Sequence, residues 1–192
     1  MRMVLASGNP HKALELGRLL PGFDVQPYDG ALPPETGASF RENALIKARA
    51  VHAELDGRCW VLADDSGIQA SALDGLPGIY SARYAGEGAS DADNLNKLLG
   101  ALEGAADRGV AYVAELVAIT PDGRELHARG ELRGTLAGAP RGSGGFGYDP
   151  AFVPDGETRT VAEMSAAEKD AISHRARAAQ ALLPLLRRES AG

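Results

Sequence analysis

Two adjacent carboxylates, Asp64 and Asp65, follow the apolar run WVLA at residues 60–63. Neighbouring residues on a regular strand point to opposite faces of the sheet, so regular strand geometry does not let both carboxylates ligate one ion. We expect the strand to end at this pair, where one carboxylate could reach a metal ion while the other activates a water molecule. Carboxylate oxygens suit Mg²⁺, which bridges to substrate phosphates. The alternative is a polar turn or a helix cap.

The segment SGNPHK at residues 7–12 lies between a predicted strand and a predicted helix. In such a connection, backbone amides and the helix N-terminus face a bound anion. Lys12 falls in the first turn of the helix, where a cation opposes the helix dipole and a bound phosphate would compensate it. The alternative is a plain strand–helix connector, and the chain contains no Walker A sequence.

A second glycine-rich segment, RGSGGFGYDP, places Phe146 among several glycines. Glycine lets the backbone approach a ligand closely, and an aromatic ring in such a loop can stack on a planar group. We therefore expect a base-binding platform, with Phe146 under the ring and Asp149 or nearby backbone groups at its edge. A flexible surface loop with one anchoring aromatic residue is the alternative.

Three cationic or switchable side chains, Lys169, His174 and Arg175, lie close together near the C-terminus. On one straight helix, Lys169 and Arg175 would point about 240° apart and could not reach the same ligand. If the three act together, the helix must break at residues 171–173. The alternative is a solvated basic helix face.

Helical and strand patterns alternate early in the chain, and a strand pair follows later. Ser39 with Glu42, and Ser165 with Glu168, match the S-x-x-E pattern of a capping box. The predicted strands lie at residues 3–6, 24–28, 60–63, 67–70 (after a break), 110–120 and 125–132. The predicted helices lie before residue 21 and at residues 39–55, 90–99 and 165–186. This order predicts an α/β fold with a mixed sheet, in one domain of two lobes over residues 1–192.

Composition excludes several classes of protein. The net charge of −6 argues against a nucleic-acid polymer or an anionic membrane as partner, because both require broad basic surfaces. The single cysteine, Cys59, excludes an intramolecular disulfide and is expected to be buried in the core. We expect a soluble cytoplasmic protein, with its basic groups concentrated at a site for an anionic ligand.

Six blocks in order along nearly the full chain closely resemble the inosine/xanthosine triphosphate pyrophosphatase family. They are SGNPHK, ETGASFRENALIKA, LADDSG, LPGIYSARYAG, GSGGFGYDPAF and EKDAISHR. The resemblance implies a two-lobed α/β fold around a long mixed β-sheet flanked by helices, with the active site in the cleft. It also implies a Mg²⁺-dependent homodimer that hydrolyses nonstandard purine nucleotides (dITP, ITP and XTP) to the monophosphate and pyrophosphate.

Catalytic and metal roles are carried over from the same resemblance. Asp65 would be the general base and a metal-linked carboxylate, with Asp64 beside it in the metal shell. Related bacterial sequences often carry two acids before the Thr-Gly of the second block, whereas this chain has Pro34 and Glu35. Glu35 is therefore the metal-ligand candidate from that loop.

Substrate contacts are also implied by the resemblance. Those expected at the triphosphate are Ser7, Gly8, Asn9, Pro10, His11 and Lys12, with Ser66 as a further contact. Those expected at the base and sugar are Phe146, Gly147, Tyr148, Asp149, Lys169, His174 and Arg175. Hypoxanthine and xanthine carry an acceptor oxygen at C6, where adenine has an amino group, so donors on Lys169 or Arg175 would favour them.

Two other functions stay open from the sequence. A catalytically idle nucleotide sensor would bind dITP without turnover, and a Maf-type enzyme would hydrolyse modified pyrimidine or other nucleotides. The FGYD and SHR blocks argue against the second. For the pyrophosphatase, an aspartate beside bound Mg²⁺ is a weak base, so we expect activity to rise toward alkaline pH as the attacking water ionises more easily.

Overall fold

A computed structural model of the chain describes residues 1–190, so the last two residues of the predicted domain lie outside the described part. The strands are β1 (Arg2–Leu5), β2 (Asp24–Pro27), β3 (Trp60–Ala70), β4 (Gly109–Ile119), β5 (Glu125–Leu136) and β6 (Phe152–Pro154). The α-helices are α1 (Pro10–Leu19), α2 (Phe40–Glu54), α3 (Asp91–Ala101), α4 (Ala166–Ile172) and α5 (His174–Ser190). Short 3₁₀ helices span Ser71–Leu73, Gly78–Arg83 and Val161–Glu163.

The strands form a mixed sheet in the order β2-β1-β3-β4-β5-β6. β1 runs parallel to both β2 and β3, whereas β5 and β6 are antiparallel. This arrangement confirms the predicted mixed sheet flanked by helices. The exception is β6, which lies in a segment that sequence patterns assign to a loop because three residues are too few to establish a strand period.

The chain divides into two compact units. The first unit comprises Met1–Asp65, Ala114–Gly130 and the chain from His174, and the second comprises Ser66–Val113 and Glu131–Ser173. Strands β3, β4 and β5 each contribute residues to both units. No helix within residues 1–190 is long and apolar enough to cross a membrane.

In the first unit, alternate strand residues pack against different helices, as the period of a strand requires. One core cluster joins Trp60 and Leu62 of β3 to α1 and α5 through Leu16, Leu20, Ala179 and Leu182. The other joins Val61 and Ala63 of β3 to α2 through Ala44, Ala48 and Val51. Cys59 packs against this second cluster but is only partly buried, so the prediction of a buried core residue is wrong.

The second unit has a core of its own. It contains Ile68 and Ala70 of β3, Leu95 and Leu98 of α3, Tyr112, Leu132 and Leu136 from the long strands, Tyr148 from the glycine-rich segment and Phe152 from β6. Tyr112 and Phe152 stack with ring centroids 4.5 Å apart. The segment around residue 148 is therefore anchored and is not a freely flexible surface loop.

The predicted break in β3 is wrong, because the strand runs through both carboxylates and Gly67. Aspartate and glycine have low strand propensity, but tertiary partners compensate for it here. The Ser81 hydroxyl accepts a hydrogen bond from the backbone amide of Ile68 at 2.9 Å. The Lys47 ammonium donates to the carbonyl of Asp64 at 2.9 Å. Asp64 and Asp65 thus lie inside a regular strand.

Helix capping follows the sequence in most places. Ser165 and Glu168 form the predicted reciprocal capping box at α4. At α2 only half of it forms: Ser39 accepts from the amide of Glu42, whereas the Glu42 carboxylate accepts from Ala38. α3 ends at Ala101, two residues beyond the predicted end at residue 99, and α5 continues through Pro184 to Ser190.

Candidate active site

The two adjacent aspartates point to opposite faces of β3 and meet different cations. Asp64 accepts from the Lys12 ammonium at 2.9 Å and from the Arg175 Nε at 2.6 Å. Asp65 accepts from the Lys47 ammonium at 3.3 Å. Lys12 and Arg175 belong to α1 and α5, whereas Lys47 belongs to α2, so each carboxylate faces the helices that cover its side of the sheet.

Asp64 is at the centre of a buried chain of charges. Arg175 links it to Glu15 of α1, whose carboxylate accepts from the guanidinium at 2.8 Å. Burial opposes ionisation of Asp64, but Arg175 and Lys12 outweigh it and hold the pKa of that carboxyl well below its usual range. Burial lowers the pKa of Lys12, although the attraction of Asp64 opposes that shift. The sequence assigned no role to Glu15.

Arg175 has bonds that the sequence did not predict, and its predicted contact with the base stays a prediction. Its side chain is 2% exposed, and it bonds Asp64 and Glu15 within the first unit. Lys169 belongs to the second unit. The helix does break between them, as required if the cluster is to function: α4 ends at Ile172, and Ser173 adopts an extended backbone before α5 begins.

The connection between β1 and α1 has the form that the sequence predicts. Asn9 caps α1 by accepting from the backbone amide of His11 at 2.9 Å, and Ser7 Oγ accepts from the amide of Asn9 at 3.2 Å. Gly8, Pro10 and His11 are exposed. The loop thus has exposed backbone at a helix N-terminus, beside Lys12, which is the geometry that suits an anion.

Lys47 is a functional candidate that the sequence reasoning missed. Its ammonium bonds Glu35 Oε1 at 2.6 Å, the carbonyl of Asp64 at 2.9 Å and Asp65 Oδ1 at 3.3 Å. Burial would lower the pKa of Lys47, but Asp65 and Glu35 outweigh it and raise that pKa. A lysine on the buried stripe of α2, between Ala44 and Ala48, was the available signal, since charged residues are rarely buried without partners.

Asp65 and Glu35 fit a hard cation, whereas Asp64 does not. Asp65 Oδ2 is buried and has no hydrogen-bond partner within residues 1–190, so this oxygen retains its lone pairs for a ligand. Both oxygens of Asp64 already accept from cations. No cluster of three or more His, Cys, Asp or Glu side chains suited to a metal occurs in the described chain. Magnesium would therefore need substrate phosphates and water as additional ligands.

Burial raises the pKa of Asp65, even though Lys47 acts in the opposite direction. The Asp65 residue is only 6% exposed. The negative charge of Glu35 also favours the protonated form of Asp65. A carboxylate with a raised pKa is a stronger base than an ordinary aspartate.

In the second unit, Asp149 organises the predicted base platform. This buried carboxylate accepts from the amide of Phe146 at 2.9 Å, the Tyr112 hydroxyl at 3.0 Å and the Lys169 ammonium at 2.7 Å. Lys169 Nζ lies 4.6 Å from the centroid of the Phe146 ring. Asp149 thus holds the loop and the lysine together, a role that differs from the predicted contact with the base edge.

The glycines of this platform are required by its geometry. Gly145 has a φ of 70°, and a Cβ there would collide with the carboxylate of Asp149. Gly147 has a φ of 63°, and its amide donates to Asp91 at 2.8 Å. Any residue with a side chain would strain the backbone at these positions.

The structure locates three further predicted substrate contacts, Tyr148, Ser66 and His174, whose roles stay predictions. Tyr148 is buried and donates its hydroxyl to the carbonyl of Ser81 at 2.7 Å. Burial raises the pKa of that phenol. Ser66 is partly exposed on β3, and His174 is 5% exposed at the start of α5. In the first unit the structure brings together Lys12, Asp64 and Arg175, and Lys47 joins Glu35 to Asp65. In the second unit it brings together Phe146, Asp149 and Lys169.

Comparison with known proteins identifies a family that this chain resembles over most of its length. A sequence model of the Ham1 family matches residues 3–185. A dITP/XTP pyrophosphatase of Mycobacteroides abscessus is 45% identical, over 97% of this chain and 95% of the relative. A dITP/XTP pyrophosphatase of Streptomyces coelicolor is 46% identical, over 97% of both proteins.

Solved structures show the same architecture. The Ham1 protein of Staphylococcus aureus superimposes with a TM-score of 0.87 at 38% identity, covering 98% of this chain and 100% of that protein. A HAM1 protein from Coxiella burnetii gives a TM-score of 0.87 at 38% identity, covering 98% and 99%.

Proposed function

Because the chain belongs to the Ham1 family, we propose that it is a nucleoside triphosphate pyrophosphatase that removes nonstandard purine nucleotides. Its substrates would be dITP, ITP and XTP, and its products the nucleoside monophosphate and pyrophosphate. Close relatives named dITP/XTP pyrophosphatase support this assignment. We further propose that the enzyme requires Mg²⁺, forms a homodimer and acts in the cytoplasm.

The observation that carries the proposal is the opposite placement of the two aspartates. Asp64 accepts from both Lys12 and Arg175, whereas Asp65 has one buried oxygen that has no hydrogen-bond partner among residues 1–190. A carboxylate with a raised pKa and a lone pair available is suited to accept a proton from water. Lysines on α1 and α2 supply positive charge beside the pair, as transfer at a phosphorus centre requires.

Hydrolysis then follows from the groups of the first unit. Asp65 Oδ2 would take a proton from water as the oxygen forms a bond to the α-phosphorus. The bond from the α-phosphorus to the bridging oxygen breaks, and pyrophosphate leaves with the electron pair. Lys12 would bind triphosphate oxygens, and Lys47 would hold Asp65 and Glu35 in place. A bound magnesium ion, held by Asp65 and Glu35, would supply further charge neutralisation.

Recognition of the base would belong to the second unit. Phe146 offers an aromatic face, and the Lys169 ammonium beside it is a donor that suits an acceptor oxygen at C6. Asp149 would act as a positioning residue, because its carboxylate fixes both the Phe146 amide and Lys169. The amino group of adenine is itself a donor and would face the Lys169 ammonium, so neither group would have an acceptor. This mismatch disfavours dATP.

The test measures pyrophosphate release from dITP, XTP, dATP and dGTP with and without Mg²⁺, for the wild type and Asp65→Asn. We expect turnover of dITP and XTP that depends on Mg²⁺ and is lost in Asp65→Asn. Equal turnover of dATP and dITP would contradict the selectivity. Binding of dITP without turnover by the wild type would instead support the idle nucleotide sensor.

A further inference from the structure

Asn43 lies on the buried stripe of α2, one helical turn before Lys47. Its side chain is fully buried, and neither end of its amide is used for the helix cap, which Ser39 supplies. Residues four apart on a helix share one face, so Asn43 and Lys47 face the same side of the sheet as Asp65. Nothing in the preceding mechanism uses this amide.

The oxygen end of Asn43 anchors the loop that carries Glu35. Its Oδ1 accepts from the backbone amide of Gly37 at 2.8 Å. A Cβ at Gly37 would lie 2.6 Å from Glu42 Cβ and 2.8 Å from Asn43 Oδ1, so only glycine permits this approach. Glu35, two residues earlier, reaches Lys47 Nζ at 2.6 Å. Asn43 therefore helps to position Glu35 at the reaction centre.

The nitrogen end of Asn43 has no hydrogen-bond partner within residues 1–190. The contact with Gly37 fixes which end of the Asn43 amide is the nitrogen. The backbone N–H of Gly37 is a donor, so it must face the amide oxygen and not the NH₂ group. A buried donor without an acceptor is destabilising, and such groups mark places where a ligand or water completes the bonding. Asp65 Oδ2 is likewise buried and has no hydrogen-bond partner in the described chain. The other oxygen of that carboxylate, Oδ1, accepts from Lys47, which lies on the same buried stripe of α2 as Asn43.

We propose that Asn43 is a further residue of the reaction centre: its Oδ1 positions the Glu35 loop, and its Nδ2 donates to the water that attacks the α-phosphorus. The inference rests on the proposed pyrophosphatase function. One water molecule that accepts from Asn43 Nδ2 and donates to Asp65 Oδ2 satisfies both buried groups. The amide then orients a lone pair of the water while the carboxylate removes its proton.

The informative variant is Asn43→Asp, which keeps an oxygen for Gly37 and replaces the donor with an acceptor. We expect kcat for dITP to fall about tenfold to a hundredfold, the range of one lost hydrogen bond in a reaction centre. The Kd for dITP should stay close to the wild type, whereas the midpoint of thermal unfolding should fall because the variant places a charge at a fully buried position. Saturating Mg²⁺ should not restore kcat, which separates the lost donor from an effect of added charge on metal binding.

Asn94→Asp in α3 is the matched control, because both ends of that buried amide are already paired. Its Oδ1 accepts from the amide of Ala85 at 2.7 Å, and its Nδ2 donates to the carbonyl of Ala82 at 3.2 Å. We expect this variant to lower the unfolding midpoint and to leave kcat unchanged.

Each outcome decides between roles. If Asn43→Asp keeps the wild-type kcat, or loses only stability as Asn94→Asp does, Asn43 is structural and the inference is wrong. If Kd for dITP rises while kcat is unchanged, the donor binds a phosphate oxygen and the attacking water is excluded as its partner. A wild type that fails to hydrolyse dITP would instead overturn the proposed function itself.

Discussion

Asp64 and Asp65 are adjacent in the chain, yet their carboxylates belong to two different charge systems on opposite faces of β3. Asp64 is fully buried between Lys12 and Arg175, and Asp65 faces Lys47. The pKa shifts have opposite directions: the cations hold the pKa of Asp64 low despite burial, whereas burial raises the pKa of Asp65. The pair therefore combines one structural counter-ion with one candidate base.

Matched substitutions should separate these two roles. Asp64→Asn removes the carboxylate that Lys12 contacts and leaves Arg175 with Glu15 alone, so we expect the free energy of unfolding to fall by about 3–5 kcal/mol. Asp65→Asn removes a carboxylate whose charged form burial disfavours, so stability should stay within about 1 kcal/mol, while kcat falls by about 10²–10⁴-fold. Urea unfolding and pyrophosphate release measure the two effects. The reverse pattern would exchange the roles of the two residues.

The contact between Glu15 and Arg175 should be energetically coupled. In a double-mutant cycle with Glu15→Gln and Arg175→Gln, we expect a coupling energy of about 1–3 kcal/mol, because both side chains are buried. The exposed pair Arg49 and Glu125, with 62% and 37% exposed side chains, is the control and should couple by only about 0.2–1 kcal/mol. Urea unfolding of the four variants of each cycle provides both numbers. Equal coupling energies in the two pairs would contradict the proposal that burial strengthens the contact between Glu15 and Arg175.

Gly145→Ala should disrupt the base platform. The new Cβ would collide with the Asp149 carboxylate and strain a backbone with a φ of 70°. We expect a loss of more than about 1 kcal/mol in stability and a higher KM for dITP. Gly138→Ala is the matched control, since its Cβ meets nothing within 4 Å. If both variants have the same KM, the arrangement around Asp149 does not serve substrate binding.

Glu35→Gln should raise the Mg²⁺ concentration needed for half-maximal activity. The substitution removes the negative charge of a proposed ligand but keeps an oxygen for Lys47. Chelation of Mg²⁺ should abolish turnover of the wild type, and added Mg²⁺ should restore it. Glu103→Gln, on the surface of the second unit, is the control and should leave the requirement unchanged. An unaltered requirement in Glu35→Gln would exclude Glu35 as a metal ligand.

Glu168 should titrate far below an ordinary glutamate. Hydrogen bonds from the backbone amide and hydroxyl of Ser165, and from Arg159, lower the pKa of Glu168 from 4.5 to about 2. Because the pKa of Glu168 is lower in the folded state, the ionised carboxylate stabilises the fold fully above pH 4.5. That contribution is lost as the pH falls toward about 2. NMR titration of the carboxyl group measures this directly. The stability difference from Glu168→Gln should shrink over the same window, and titration near 4.5 would contradict the capping geometry.

The sequence by itself determined local features and the family. Strand alternation required that Asp64 and Asp65 face opposite ways, and the S-x-x-E pattern located the start of α4 at Ser165. The helical wheel required a break between Lys169 and Arg175 only if the two act on one ligand, and Ser173 does interrupt the predicted helix. These features depend on dihedral preferences and on residues a few positions apart, which the sequence contains directly.

Tertiary structure decided which groups meet. Arg175 reaches Asp64 across 111 positions, and Lys47 joins Glu35 to Asp65, relationships that no local period contains. β3 continues through Asp64 and Gly67 because distant partners compensate for their low strand propensity. Burial also raised the pKa of Asp65, since desolvation depends on everything packed around a carboxylate and not on its neighbours in the chain.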